Sequence, residues 1–223
     1  FNKVSLDKII QIYLLSILLA SILVGGTFRP NFNEIKEQFF KLKQVNKFFG
    51  NEIYKGQLVD QIGARIDILL LGLVVEPKLV GIYALAKQLT EPIYIFSQSL
   101  STSYFKRFAR NNKIGREVTV INIIWLISSS IGLLTLCDLI VKVLFGDNFV
   151  EVNSIIGFLL ISVIVRGIYV PYNLFLSSKM QGKIMKKASY YMGIVNIIIS
   201  IPLIFTFKVA GAVSVNIIGY VIY

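Results

Sequence analysis

Several ionisable residues sit inside stretches that are otherwise apolar: Lys55, Asp60, Arg65, Asp67, Lys87, Glu91 and Arg166. A charge at the middle of a bilayer costs at least about 2.5–3.5 kcal/mol, so such residues face a cavity or a partner. Arg166 stands out, because a guanidinium offers five donors and a permanent charge that match phosphate. The plainer role for Arg166 is a buried partner for Asp60, Asp67 or Glu91, and the sequence leaves the two open. There is no histidine, which removes the commonest metal ligand and the usual proton shuttle near neutral pH. The single cysteine, Cys137, lies in apolar sequence and reads as packing, so neither a disulfide, a Cys/His metal site nor a cofactor is expected.

Helical spacing gathers these residues into stripes. At about 100° per residue, Gly56, Asp60, Gly63, Ala64 and Asp67 share one face, small and acidic. Leu58, Ile62, Ile66, Leu69 and Leu73 fall opposite and suit lipid or packing. Arg65 points away from the acidic stripe, toward a neighbouring helix, and Lys55 is close enough to the end of its span to snorkel. Tyr83, Lys87, Glu91, Tyr94, Gln98 and Thr102 form a second polar stripe, in which Lys87 and Glu91, four apart, are placed to neutralise each other. Pro92 cannot donate to the Gln88 carbonyl, and Pro171 leaves the Gly167 carbonyl without its usual donor. Ser162, Arg166, Tyr169, Asn173 and Ser177 align in a third stripe. Ser189, Gly193, Asn196 and Ser200 align in a fourth, which reads as a helix–helix contact.

The elements that must hold these stripes are membrane spans. Hydrophobic residues make up 55% of the chain and mean hydropathy is strongly positive, too apolar for a soluble domain of 223 residues. Apolar runs of the ~17–25 residues that cross a bilayer recur along the whole length, unlike a single signal sequence. The spans fall at about 9–24, 52–75, 80–105, 118–137, 152–178 and 188–207, with a seventh starting near Val209. The fold class is therefore all-α, a polytopic transmembrane bundle of about seven spans. In residues 29–50, Phe32, Ile35, Phe39, Leu42 and Phe49 recur at roughly helical spacing among lysines. This suits a helix on the membrane surface or a solvated linker helix. The chain starts at Phe1 and stops at Tyr223 inside an apolar run, and so reads as a piece of a longer protein.

The net charge of +11 follows topology rather than nucleic acid. Arg29, Lys36, Lys41, Lys43 and Lys47 follow the first span; Lys106, Arg107, Arg110, Lys113 and Arg116 the third; Lys179, Lys183, Lys186 and Lys187 the fifth. The intervening loops hold only Lys78, Lys142 and Lys208, beside Glu76, Asp138, Asp147 and Glu151. The positive-inside rule places loops 29–50, 106–117 and 179–187 in the cytoplasm.

Residues 65–86 carry the most specific pattern: Arg65-Ile66-Asp67-Ile68-Leu69-Leu70-Leu71-Gly72, then Val80-Gly81-Ile82-Tyr83-Ala84-Leu85-Ala86. This resembles the polysaccharide flippases of O-antigen and capsule synthesis, in the multidrug/oligosaccharidyl-lipid/polysaccharide exporter superfamily. Leu144-Phe145-Gly146-Asp147-Asn148-Phe149 and Val209-Ala210-Gly211-Ala212 are similar to that family's outer turn and last helix pair. The resemblance implies two pseudo-symmetric lobes. Residues 1–28 would be the last helix of the amino-terminal lobe, 29–50 a cytoplasmic amphipathic linker, and 51–223 most of the carboxy-terminal lobe. It implies alternating access in the bacterial cytoplasmic membrane, with a polyprenyl-diphosphate-linked glycan as substrate. Membrane lipids and other polysaccharide assembly proteins would be its partners. Cavity candidates are then Arg65, Lys87, Arg166, Tyr94, Gln98 and Asn173, while Asp60, Asp67 and Glu91 either couple transport to protons or sodium or balance the basic residues. A multidrug exporter of the same superfamily would favour a more acidic cavity. A membrane-embedded glycan-processing enzyme would need a large outer loop or a clustered acid/base pair outside the spans, and the expectation is that the chain is not an enzyme.

Overall fold

The computed structural model describes residues 6–27 and 35–222. Helices α1 (Leu6–Thr27), α2 (Ile35–Val45), α3 (Asn51–Val74), α4 (Pro77–Ser103), α5 (Phe105–Arg110), α6 (Arg116–Phe145), α7 (Val152–Ser178) and α8 (Gly182–Ile222) account for nearly all of them. A π-helical turn, Asn46–Gly50, leads into α3, and a single 3-10 turn, Asp147–Phe149, separates α6 from α7. The chain forms two compact units, residues 1–45 and 46–223, divided within the stretch read as a linker.

In the first unit α1 is apolar on every side. The hydroxyls of Ser16, Ser21 and Thr27 turn back onto the carbonyls of Tyr13, Ile17 and Leu23, so these three donors are met within the helix itself. Helix α2 is amphipathic, and Glu37 and Lys41 pair across one turn at 2.7 Å. Arg29 and Phe32 of the same stretch lie outside the described residues.

The second unit is an all-α bundle in which α3 packs along α8 and α4 along α7, with α6 against α7 and α4. Its centre is formed by Leu71, Tyr83, Leu126, Ile156, Leu159 and Ile204. The small face of α3 meets the small face of α8. The site of a Gly193 side chain is already filled by Val59, and Gly56 lies against the backbone of Lys186. Leu69 and Leu73 on the far face of α3 are 68% and 77% exposed, as a lipid-facing side requires.

Among the described residues four helices are long and apolar enough to cross a membrane: Ile10–Thr27, Arg116–Phe145, Val152–Ser178 and Gly182–Val221. The sequence reading expected about seven spans, and the difference has two physical sources. Helix α8 carries the sixth and seventh predicted spans in one 41-residue element, broken at Lys208, whose φ of 50° and ψ of −122° are not helical. Gly211 allows the two segments to close on each other, because a side chain there would run into the Leu203 carbonyl. Helices α3 and α4, 24 and 27 residues long, have the length but carry the charged stripes that lower their hydropathy. The bundle is that of a multi-pass membrane protein.

Ion pairs close both ends. Lys78 meets Glu151 at 2.8 Å at one end, and this hydrogen bond holds the Lys78 ammonium above its usual pKa. Arg107 meets Glu117 at 2.8 Å at the other end, where Lys179 donates to the Ala109 carbonyl. Inside the bundle, Asn122 on α6 donates to the Gly167 carbonyl at 2.8 Å. That carbonyl is the one Pro171 cannot serve, so a side chain replaces the missing helical donor.

Asn122→Leu should therefore destabilise the folded bundle by about 1–3 kcal/mol, the cost of an unmet buried carbonyl. Adding Pro171→Ala should recover most of that loss, because residue 171 then has its own N–H. Thermal unfolding in one detergent checks this, and a double variant no more stable than Asn122→Leu would contradict it.

Candidate functional site

Asp67 of α3 is 2% exposed and accepts four hydrogen bonds from the described residues. Its Oδ2 accepts from the Tyr83 hydroxyl at 2.5 Å, from Lys87 Nζ at 2.8 Å and from Asn216 Nδ2 at 2.8 Å. Its Oδ1 accepts from the Ile68 N–H at 2.8 Å. Lys87 also donates to the Ala64 carbonyl at 2.9 Å, and Asn216 to the Tyr83 oxygen and the Ala212 carbonyl. One carboxylate thus ties α3 to α4 and to the last segment of α8.

One turn further along α4, Glu91 Oε1 accepts from Arg166 Nη1 of α7 at 2.9 Å, with the side chains 29% and 19% exposed. The Arg166 guanidinium lies 3.5 Å from the centre of the Tyr94 ring and 5.6 Å from that of Tyr220. Such stacking holds the plane of a cation without using up its donors. The pairing predicted from helical spacing, Lys87 with Glu91, is not the one formed: each has instead taken a partner on another helix.

Arg166 also lines a cavity of about 410 Å³ enclosed by α3, α4, α7 and α8. Its wall holds Gln57, Asp60 and Gln61 from α3, Tyr94 and Gln98 from α4, Tyr169, Asn173 and Ser177 from α7, and Lys186, Ser189 and Tyr220 from α8. The lining runs from Arg166 and Tyr220 to Ile53, Ser177 and Lys186, at the end of the bundle that carries the basic segments 106–117 and 179–187. Asp60 accepts from the Ser189 hydroxyl at 2.8 Å, and its buried Oδ1 has no hydrogen bond among the described residues. Lys186 pairs with Glu52 beside the cavity wall.

Of the residues singled out from sequence, Asp60, Tyr94, Gln98, Arg166 and Asn173 meet at this cavity. Lys87 and Glu91 lie behind its inner end, around a void of about 10 Å³ that Arg166, Asn216 and Tyr220 also border. Asp67 is in the core. Arg65 is exposed, outside the cavity lining, and makes no ion pair among the described residues. Sequence reasoning passed over Asn216 and Tyr220, although two polar residues four apart in an apolar run are the same signal that marked the other stripes. It also passed over Gln57 and Gln61 beside the acidic face.

The chemistry on offer is binding. The wall combines amide, hydroxyl and phenol groups that suit a polyhydroxylated ligand with one stacked cation that suits an anion. Among the described residues no cluster of His, Cys, Asp and Glu could hold a metal ion.

No protein-family model matches the chain, and no solved structure matches it. A stretch of 142 residues is 29% identical to the teichuronic acid biosynthesis protein TuaB of Bacillus subtilis (strain 168). The match covers 59% of this chain and 29% of that protein, so the chain spans under a third of the length of its curated relative.

Lys87→Met should destabilise the bundle by about 3–5 kcal/mol, because it leaves the buried Asp67 carboxylate without its counter-charge. Lys87→Met combined with Asp67→Asn should cost less than the two single changes together by at least ~1 kcal/mol. Denaturant unfolding of the purified variants measures both, and additive losses would show that the pair is not coupled.

Proposed function

We propose that this chain is part of a transporter that moves lipid-linked oligosaccharide repeat units across the cytoplasmic membrane, for the synthesis of surface polysaccharide. The observation that carries the reading is the position of Arg166, a stacked cation at the inner end of a polar cavity inside an apolar helical bundle. An anionic headgroup entering that cavity would meet Arg166 last, with its sugar hydroxyls against Gln57, Gln61, Gln98 and Asn173. A polyprenyl tail would remain in lipid, beside faces such as that of Leu69 and Leu73. The similarity to a teichuronic acid biosynthesis protein supports a surface-polysaccharide role, and the polysaccharide-flippase pattern in residues 65–86 agrees with it.

The mechanism follows from where the cavity sits. Its lining reaches the basic end of the bundle, which the positive-inside rule assigns to the cytoplasm, where lipid-linked units are made. Release on the other side would require that end to close and the Lys78–Glu151 end to part, so the lobe would alternate between two packings. The substrate crosses unchanged, and no catalytic group is called for. The diphosphate-linked glycan is the partner that the cavity chemistry needs, with membrane lipid around it and other polysaccharide assembly proteins at either side.

A cationic drug is the competing cargo, and Asp60 is what favours it, since its buried Oδ1 is the acceptor left over in the cavity. Cells separate the two readings. Loss of the gene should abolish surface-glycan display and leave lipid-linked repeat units in the cytoplasmic leaflet. Normal display with raised sensitivity to cationic drugs would give the site to the drug reading. In the full-length protein, Arg166→Ala should keep membrane insertion and lose most glycan display, and wild-type display at matched expression would remove Arg166 from the site.

A further inference from the structure

The acids at the basic end of the second unit are already taken: Glu117 pairs with Arg107, and Glu52 with Lys186. Lys106, Arg110, Lys113, Arg116, Lys183 and Lys187 make no ion pair among the described residues. These cations come from two segments that the fold joins. Lys179 donates to the Ala109 carbonyl at 3.0 Å, across 70 residues of sequence. Phe108 of α5, 1% exposed, meets the Phe175 ring of α7 edge-on at 6.1 Å. Lys106 and Arg110, four apart on α5, fall opposite Phe108, so burying that ring turns both cations outward.

The exposed side of α8 shows the depth at which this end lies. Tyr190 and Tyr191 are exposed, and the exposed Ile194, Ile198 and Ile201 follow them along the helix. Tyrosines before such an apolar run mark the border between head groups and hydrocarbon. Tyr54 of α3 is exposed at the same level, because Gly56 lies against the Lys186 backbone. At a rise of 1.5 Å per residue, Lys187 stands about 5 Å and Lys183 about 11 Å beyond that border. Their long side chains therefore reach the head-group layer. Met180 and Ile184, apolar residues between these cations in sequence, are also exposed. Met180 has a φ of 56°, in the region that favours glycine, so the turn carries a long apolar side chain where a bare backbone would be easier to fit.

We propose that this junction of α5 with the α7–α8 turn binds an anionic phospholipid of the cytoplasmic leaflet. Its phosphate lies between Arg110 and Lys113 on one segment and Lys183 and Lys187 on the other, and its acyl chains start against Met180 and Ile184. Basic clusters just cytoplasmic of membrane spans attract anionic head groups. A lone cationic loop would serve topology and nothing more. Two such loops bonded to each other, with their acids neutralised and apolar side chains among the cations, offer a counterpart to both halves of a phospholipid. The site is separate from the cavity, since none of these four cations lines it. Bound there, the lipid ties α5 to the start of α8.

The test strips full-length protein of lipid in a neutral detergent. It is then titrated with phosphatidylglycerol or with phosphatidylcholine of the same acyl chains, and native mass spectrometry counts the bound molecules. The first phosphatidylglycerol should bind at least about tenfold more tightly than any phosphatidylcholine. Arg110→Gln with Lys113→Gln should remove that preference, and so should Lys183→Gln with Lys187→Gln. All four changes together should do little more than either pair, because one site is lost in each case. Met180→Ser should weaken phosphatidylglycerol roughly fivefold. Arg166→Ala should leave the lipid in place, and glycerol 1-phosphate should not displace it. Equal binding of the two lipids, or losses that add across the two pairs, would overturn the site in favour of a diffuse positive field. Displacement by glycerol 1-phosphate would make it a site for free phosphate, and loss of the lipid in Arg166→Ala would move it into the cavity. Either result would contradict the proposal.

Discussion

The rest of the bundle depends on one constraint: a carboxylate buried in an apolar helix bundle must be met on every lone pair. Asp67 satisfies this with the Tyr83 hydroxyl, the Lys87 ammonium, the Asn216 amide and a backbone N–H. Those donors come from different helices, so meeting the demand fixes α3, α4 and the end of α8 relative to one another. Inside lipid the hydrophobic effect gives helices little reason to choose one neighbour over another. Polar groups that find partners in a single arrangement supply that choice. Asn122 does the same for α6 and α7 by completing the carbonyl that Pro171 leaves open.

With the helices fixed in this way, a cavity results where the small face of α3 and the polar stripes of α4 and α7 diverge. The charges at its inner end are held but not sealed. Arg166 is paired with Glu91 and stacked on Tyr94, and it borders the cavity. This differs from the Lys87–Asp67 pair, which is deeper and crossed by several hydrogen bonds. The contrast between a closed pair and an accessible one, a helical turn apart, is what supports the proposal that the site binds an anion.

Much of this was legible in the sequence because helical periodicity is a local property. The acidic and small face of α3, its exposed face at Leu69 and Leu73, and the Ser189–Gly193–Asn196 seam all follow from 100° per residue, and the contacts made by Gly56 and Gly193 agree with them. The partners were not legible. Spacing alone offered Lys87 to Glu91, and only the position of α3 and α7 around α4 sends them apart. Asn216 and Tyr220 were missed because their stripe matters only once the chain bends at Lys208 and returns to the cavity. Four helices among the described residues are long and apolar enough to cross a membrane, because α3 and α4 carry the charged stripes and α8 carries two of the predicted spans in one element.

The central claim is that water and a polar headgroup reach Arg166 from the basic end of the bundle. The direct measurement places single cysteines at Gln61 and Gln98, in the cavity wall, and at Leu73, on the lipid side, in a full-length protein free of other cysteines. Membrane-impermeant thiol reagents are then applied to membranes of either orientation. Cysteines 61 and 98 should react when the cytoplasmic side is exposed and be protected by a prenyl diphosphate, while position 73 stays unreactive. Equal protection of all three positions from the reagent on both sides would contradict the account, since the space around Arg166 would then be packed protein and not a path.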